Sequence, residues 1–334
     1  MTEKEAQMPR YPLRLIPISR NAIWGGKRLL TEWNKIGVNG GLAESWELSV
    51  RSDETVTIAN GPAKGMRLDD YFRASGWDCV SPTFSENEKF PLLAKLIDAG
   101  DCLSVQVHPD DAYAAAVEGD LGKTEMWYVV EADEGASIIC GLQEGVSRED
   151  FQKALAEGRL SEVMHTQPVR AGEHYFIPSG QLHAIGAGIL IAEIQQNSDL
   201  TYRVYDYERR QADGTLRPLH VAKAIDVVKP FTEQEVLAQA MWMGDATNDE
   251  GEMLVNCQYF SVSRLAVHGK QDLSAGAESF THLLCVAGEG RLRWQGESFE
   301  IARGDSYWIP AGMGAYALEG TLTVLLSRPQ IRKI

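Results

Sequence analysis

Residues 172–180 read GEHYFIPSG and residues 304–312 read GDSYWIPAG, so Gly, Tyr, Ile, Pro and Gly recur in register 132 positions apart. Each copy is a short apolar and aromatic run closed by a Pro-x-Gly turn, where Pro fixes φ and Gly relaxes the bend. A strand-and-turn unit that returns so far along the chain predicts two copies of one β-rich domain. The copies part company three positions after the second Gly, where the first has His183 and the second Ala315. Whatever His183 does, the C-terminal copy has given it up.

Around this repeat lie many short runs rich in Val, Ile, Tyr, Trp and Thr, among them LSVQVH, EMWYVV, ILIAEIQQ, LTYRVYDY, HLLCVA and TLTVLLS. Gly, Pro or Asp separates them, the pattern of an all-β sandwich or barrel. The repeated block also matches a motif typical of cupins, the small double-sheet barrels. The expected fold is therefore mainly β: two cupin-type jelly rolls with a small helical region. Helical spacing is confined to 66–76, 147–164, 217–228 and TEQEVLAQAMW near 232. Ser147 with Asp150 three positions on gives the second of these a capping signal. The last is the candidate hinge, dividing the chain into a catalytic domain, 1–236, and a degenerate barrel without metal, 237–334.

Composition narrows the function. The 334 residues carry a formal charge of −15, with 44% apolar and 24% charged residues. No basic stripe meets a phosphate backbone, which argues against nucleic acid. An anionic small molecule would need local cations to overcome the global field. No run of about 18 apolar residues is present to span a membrane, and MTEKEAQMPR has no apolar signal core. Five scattered cysteines without a C-x-x-C pair suit a reduced, cytoplasmic protein. No obligate protein partner is inferred.

The stretch LSVQVHPDD, residues 103–111, is chemically unusual. Strand alternation sets Ser104, Gln106 and His108 on one face and Val105 and Val107 on the other. The same rule in GKTEMWYVV groups Lys123, Glu125 and Trp127. One face of every barrel strand looks into the lumen, so Gln106, His108, Glu125 and His183 can converge there. Two imidazoles, a carboxylate and an amide oxygen suit a borderline divalent cation such as zinc, with a coordination position left open. A lone His near a strand end is more often a hydrogen-bonded structural residue. The i, i+2 pair and the second His just past a Pro-x-Gly turn speak for a metal.

Other signals are weaker. His165, His220 and His268 read as surface or cap residues, and His174 as a structural strand start. His282 is the candidate counterpart of Glu125 in the second barrel. GDLGKT, residues 119–124, resembles the end of a P-loop, but Val117 stands where its first Gly is needed, and GVNGG, residues 37–41, does not fit G-x-G-x-x-G. Glu193 and Arg203 flank the turn-like NSD, and a hairpin there predicts a cross-strand ion pair.

Taken together, PLLAKLIDAGDCLSVQVHPDDAYA, GKTEMWYVV, YFIPSGQLHAIGAGILIAEIQQNSDLTYRVYDY, LRPLHVAKAIDVV, IWGGKRL and GLAESWELS resemble the type I mannose-6-phosphate isomerase family in its short bacterial form. The resemblance covers most of residues 11–230 and runs more loosely to the C-terminus. It implies Gln106, His108, Glu125 and His183 as ligands of one zinc, and Arg203 as the catalytic arginine. It further implies Lys95, Ser104 and Lys123 in the substrate site, with Glu193 lining the same pocket. The expected activity is zinc-dependent interconversion of mannose 6-phosphate and fructose 6-phosphate through an enediol. Arg203 would stabilise the enediolate or hold an anionic group, and Glu193 and a zinc-bound water are the candidate proton carriers. Larger members carry a helical domain that is reduced here to the 147–164 region. Two alternatives stand beside this reading: an Fe(II) cupin oxygenase, for which Gln106 is an unusual ligand, and a metal-dependent sugar-phosphate binder without turnover.

Overall fold

The alternation in LSVQVH is realised as a short strand, Val105–Val107, whose two valines are fully buried on one face while Gln106 lies on the other. This computed structural model describes residues 7–52, 54–242 and 250–330. Val105–Val107 belongs to a five-stranded antiparallel sheet, ordered Met164–Pro168, Ser137–Leu142, His183–Ile185, Val105–Val107, Tyr202–Tyr205. Its valine face packs with Leu182, Ala184, Tyr202 and Val204 against Phe151 and Val227 of two helices, Arg148–Ala156 and Val221–Val227.

Facing it is a six-stranded sheet, ordered His174–Ile177, Glu125–Ala132, Ile189–Gln196, Leu92–Ala99, Glu44–Leu48, Ile18–Arg20. Between the two sheets, Trp24, Ile97, Trp127, Val129, Ile138, Ile185 and Ile191 form an apolar plug. The polar side chains fill the other part of the interior. On the outer face of the six-stranded sheet, Leu96, Met126, Ala192 and Ile194 join a second core that includes Phe72, Phe90, Phe280 and Trp308. Phe90 stacks on Phe72 at 5.7 Å and on Phe280 at 5.2 Å, so the ring series ties the helix Leu68–Ser75 to the C-terminal barrel.

That barrel is an eight-stranded sheet, and it is not built from C-terminal residues alone. Leu13–Ile16 pairs with Ser306–Ile309 on one side and with Thr57–Ile58 on the other. N-terminal strands thus complete a sheet on the far side of the 236/237 division, where the helix Glu233–Ala240 runs.

Two helices are shorter than their sequence spacing predicts. The one expected over 147–164 keeps its Ser147–Asp150 capping box but ends at Ala156, because Gly158 turns the chain at φ 68°. The chain then passes through a 3₁₀ turn, Leu160–Glu162, into a strand from Met164. The one expected over 217–228 starts only at Val221, since Arg217 is engaged with Asp206 and the Pro218 carbonyl with Arg203.

The repeat provides a residue-by-residue comparison of the barrels. Ile177 pairs with Glu125, and its counterpart Ile309 pairs with Thr281, so Thr281 holds the place expected for His282. His282 takes the place of Met126, on the opposite face, where Nε2 meets Ser306 Oγ at 2.7 Å. Burial, with the charge of Lys35 adding, pushes this imidazole down to about 3, so it is a neutral structural group. His183 pairs with Gln106 and Ala315 with Ser274. By this register the places of Gln106, His108, Glu125 and His183 are taken by Ser274, Gly276, Thr281 and Ala315. None of the four offers an imidazole or a carboxylate.

Candidate metal centre

Across the five-stranded sheet, Arg203, Gln106 and His183 stand directly opposite one another on adjacent strands, which puts their side chains on one face. His183 Nδ1 lies 2.8 Å from the Gln181 carbonyl. A carbonyl only accepts, so Nδ1 carries the proton and the Nε2 lone pair faces the cavity. That Nε2 is 3.1 Å from His108 Nε2, which in turn is 3.1 Å from Glu125 Oε1. Glu125 Oε2 is 3.9 Å from His183 Nε2. The three ligand atoms lie within 4.8 Å of one another, on side chains that are at most 1% exposed.

Electrostatics keeps the donors in ligand form. Burial, reinforced by the charge of Lys123, pushes His108 down to about 3, and burial lowers His183 as well. Burial alone would raise the Glu125 carboxyl, but Lys123 at 2.8 Å and the two histidines hold it well below the usual range. His108 Nδ1 is buried without a hydrogen-bond partner. Two neutral imidazoles with their Nε2 atoms 3.1 Å apart, crowded against a buried carboxylate, are costly to hold together unless a cation gathers them. The donors present therefore fit a divalent metal.

A second carboxylate adjoins this group. Trp127 Nε1 donates to Glu125 Oε2 at 2.9 Å and to Glu193 Oε2 at 3.1 Å, so one indole N–H bridges both acids. Glu193 pairs in register with Lys95, whose Nζ is 3.4 Å away, and Lys95 also lies 3.7 Å from Glu44 and over the Trp46 ring. Burial, with the Glu125 charge adding, raises Glu193 to about 7, partly offset by Lys95 and Lys123. Burial would lower Lys95, yet Glu44 and Glu193 together raise it, so it stays cationic.

The Glu193–Arg203 hairpin expected from sequence does not form. Ile189–Gln196 lies in the six-stranded sheet and Tyr202–Tyr205 in the five-stranded one. The NSD turn changes sheets: Asn197 N–H bonds Pro91 O at 3.1 Å, and Gln195 Nε2 bonds Ser198 O. Glu193 pairs with Lys95 instead. Arg203 Nε donates to Ser104 Oγ at 3.3 Å and its Nη1 to Pro218 O at 2.8 Å, while His220 Nδ1 accepts the Arg203 N–H.

Sequence reasoning missed Glu44 and Trp46 beside Lys95. Their signal was there, because ESWEL alternates with Glu44 and Trp46 on one face. What it lacks is the long-range register that pairs Trp46 with Lys95. An open surface cleft of about 360 Å³ near Arg28, Asp98 and Asp133 contains none of these groups. Arg28 and Asp133 pair with each other there at 2.6 Å.

Comparison with known proteins finds matches along most of the chain. The phosphomannose isomerase type I catalytic domain matches residues 13–135, and the mannose-6-phosphate isomerase cupin domain matches residues 250–329. The mannose-6-phosphate isomerase of Streptococcus mutans is 37% identical over 95% of this chain and 98% of its own length. Mannose-6-phosphate isomerase ManA of Bacillus subtilis is 34% identical over 96% of this chain and 99% of its own. The crystal structure of a Bacillus subtilis mannose 6-phosphate isomerase superposes with a TM-score of 0.84 at 33% identity, over 95% of this chain and 99% of that one. The apo enzyme from Salmonella typhimurium, at 17% identity and a TM-score of 0.73 over 96% and 99% of the two chains, shows the same fold.

Proposed function

From the premise that this chain belongs to the type I mannose-6-phosphate isomerases, and is thus an aldose–ketose isomerase, we propose that it interconverts mannose 6-phosphate and fructose 6-phosphate through an enediol at a single zinc site. The observation that supports this most is the buried His108–Glu125–His183 cluster with Glu193 one indole N–H away.

Gln106, His108, Glu125 and His183 would hold the ion. Zinc suits two imidazoles, a carboxylate and an amide oxygen, and when bound it supplies Lewis-acid polarisation without redox chemistry. The remaining roles belong to the chain. Glu193, raised to about 7, is poised near neutrality to take the proton from C2 of the aldose and return it at C1. Lys95 limits how far that carboxyl rises and offers a donor to a sugar hydroxyl. Lys123, beside Glu125, faces the charge that develops on oxygen in the enediolate. Arg203, charged at any working pH, and Ser104 bonded to it recognise anionic oxygen from the opposite sheet. Together Lys95, Lys123 and Arg203 supply the local cations that a chain of net charge −15 needs for an anionic substrate.

Proton transfer by a carboxylate predicts exchange with solvent. Isomerisation in deuterium oxide, followed by mass spectrometry of the recovered sugar phosphate, is expected to show carbon-bound deuterium that accumulates as turnovers mount. The burial of Glu193, 3% exposed, should keep the fraction per turnover below one. A product free of deuterium after many turnovers would replace the enediol by a hydride shift. Tight binding with no isomerisation at all would make the protein a sugar-phosphate binder.

A further inference from the structure

The second carboxylate of HPDD and the spurious P-loop fragment GDLGKT prove to be parts of one device. Asp110 caps the helix Asp111–Val117, accepting the Tyr113 N–H at 3.0 Å. Asp111 does something else. Its Oδ1 accepts the Gly122 N–H at 2.8 Å and the Gln196 side-chain amide at 2.9 Å. Gln196 in turn accepts the Thr124 N–H through Oε1 at 2.9 Å and donates its own N–H to Thr124 O at 3.1 Å. Between these two anchors the Lys123 N–H is taken by Pro109 O at 3.0 Å. The loop is pressed close: a Cβ on Gly122 would come within 2.5 Å of the Asp111 nitrogen. Three successive backbone amides, 122 to 124, are thus held by the segment that follows His108 and by the end of the strand that carries Glu193.

We propose that Asp111 and Gln196 are positioning residues that fix the backbone on both sides of Lys123 and so set its ammonium against Glu125 and the substrate. Neither side chain touches the reacting atoms. A flexible lysine stem can be aimed only if its root is immobile, and a displacement of about 1 Å in an active site can cost on the order of 100-fold in rate. Asp111 and Gln196 are correctly chosen for this task, because an acceptor-only carboxylate can hold two N–H groups and an amide can relay one of them onward. The inference rests on the reading of Lys123 given above.

The test is a set of five variants assayed for isomerisation, with zinc content and thermal melting measured on each. Lys123→Met is expected to lose most of kcat. Asp111→Ala is expected to lose roughly 10- to 100-fold in kcat, with zinc content unchanged. Gln196→Met, which conserves volume but drops both side-chain bonds, should show the same loss. In the double variant Lys123→Met/Asp111→Ala the second change should cost nothing further, because there is no ammonium left to aim. Asp111→Asn, which keeps an acceptor oxygen, should recover most of the activity. Wild-type kcat in both Asp111→Ala and Gln196→Met, or losses that multiply in the double variant, would overturn the positioning role alone. Full activity in Lys123→Met would remove the reading of Lys123 and this inference with it.

Discussion

Glu193→Gln is expected to lower kcat by about 10²- to 10⁴-fold, the range for losing a positioned general base, while the protein keeps its metal. The substitution preserves shape, and the amide oxygen can still accept from Trp127 Nε1, which now donates to Glu193 Oε2 at 3.1 Å. What disappears is a carboxylate that can take and return a proton. In the parent enzyme kcat/KM should rise with pH along an acid limb at or below about 7, since the base works deprotonated and burial raises Glu193 to about 7. A cation on Glu125 cancels one cause of that elevation, which moves the limb downward. The variant should have no such limb. Stability runs the other way. A carboxyl whose folded pKa lies above its unfolded value contributes stability at low pH and loses it as pH rises through the folded pKa. Glu193→Gln should therefore melt higher than the parent above pH ~7, a difference that shrinks toward pH ~4. An unchanged pH–rate profile would move the base elsewhere.

His183→Ala should be the more drastic change, abolishing both metal retention and turnover. His183 is completely buried and its Nε2 faces His108 and Glu125. Without it the set drops to Gln106, His108 and Glu125, and the affinity loss should exceed the roughly 10- to 100-fold seen even for outer partners of a metal ligand. Losing Lewis-acid help of several kcal/mol corresponds to at least about 10³-fold in rate. The second barrel carries Ala315 at this place and Ser274, Gly276 and Thr281 at the others, none of them an imidazole or a carboxylate. Isothermal titration with zinc and the isomerase assay check both halves. Parent-like zinc binding in the variant would show that His183 is a structural residue.

The strength of the sequence signal varied with the range of the interactions that produce each feature. Strand alternation is local, so LSVQVH alone separates Ser104, Gln106 and His108 from the valines, and EMWYVV alone places Glu125 beside Trp127. The repeated Pro-x-Gly block is local too, and it isolated His183 against Ala315. Register and sheet membership are not local. NSD looks like a hairpin turn because its residues suit one, yet the direction of the chain after Asn197 depends on the bond from its N–H to Pro91 O. The partner of Glu193 is Lys95, nearly a hundred residues earlier, fixed by eight pairs along the strands Leu92–Ala99 and Ile189–Gln196. The His282 assignment failed by a single residue, enough to reverse the face of a strand. The passage of Leu13–Ile16 into the C-terminal sheet leaves no mark in its own composition, because pairing with Trp308 and Ile58 decides it.

The most direct measurement is isomerase activity followed while zinc is added stepwise to metal-stripped protein, with bound metal determined at each step. Activity should start near zero, climb in proportion to bound zinc and level off at a single ion per chain. Full turnover in the stripped protein, or zinc that binds without restoring turnover, would contradict the account.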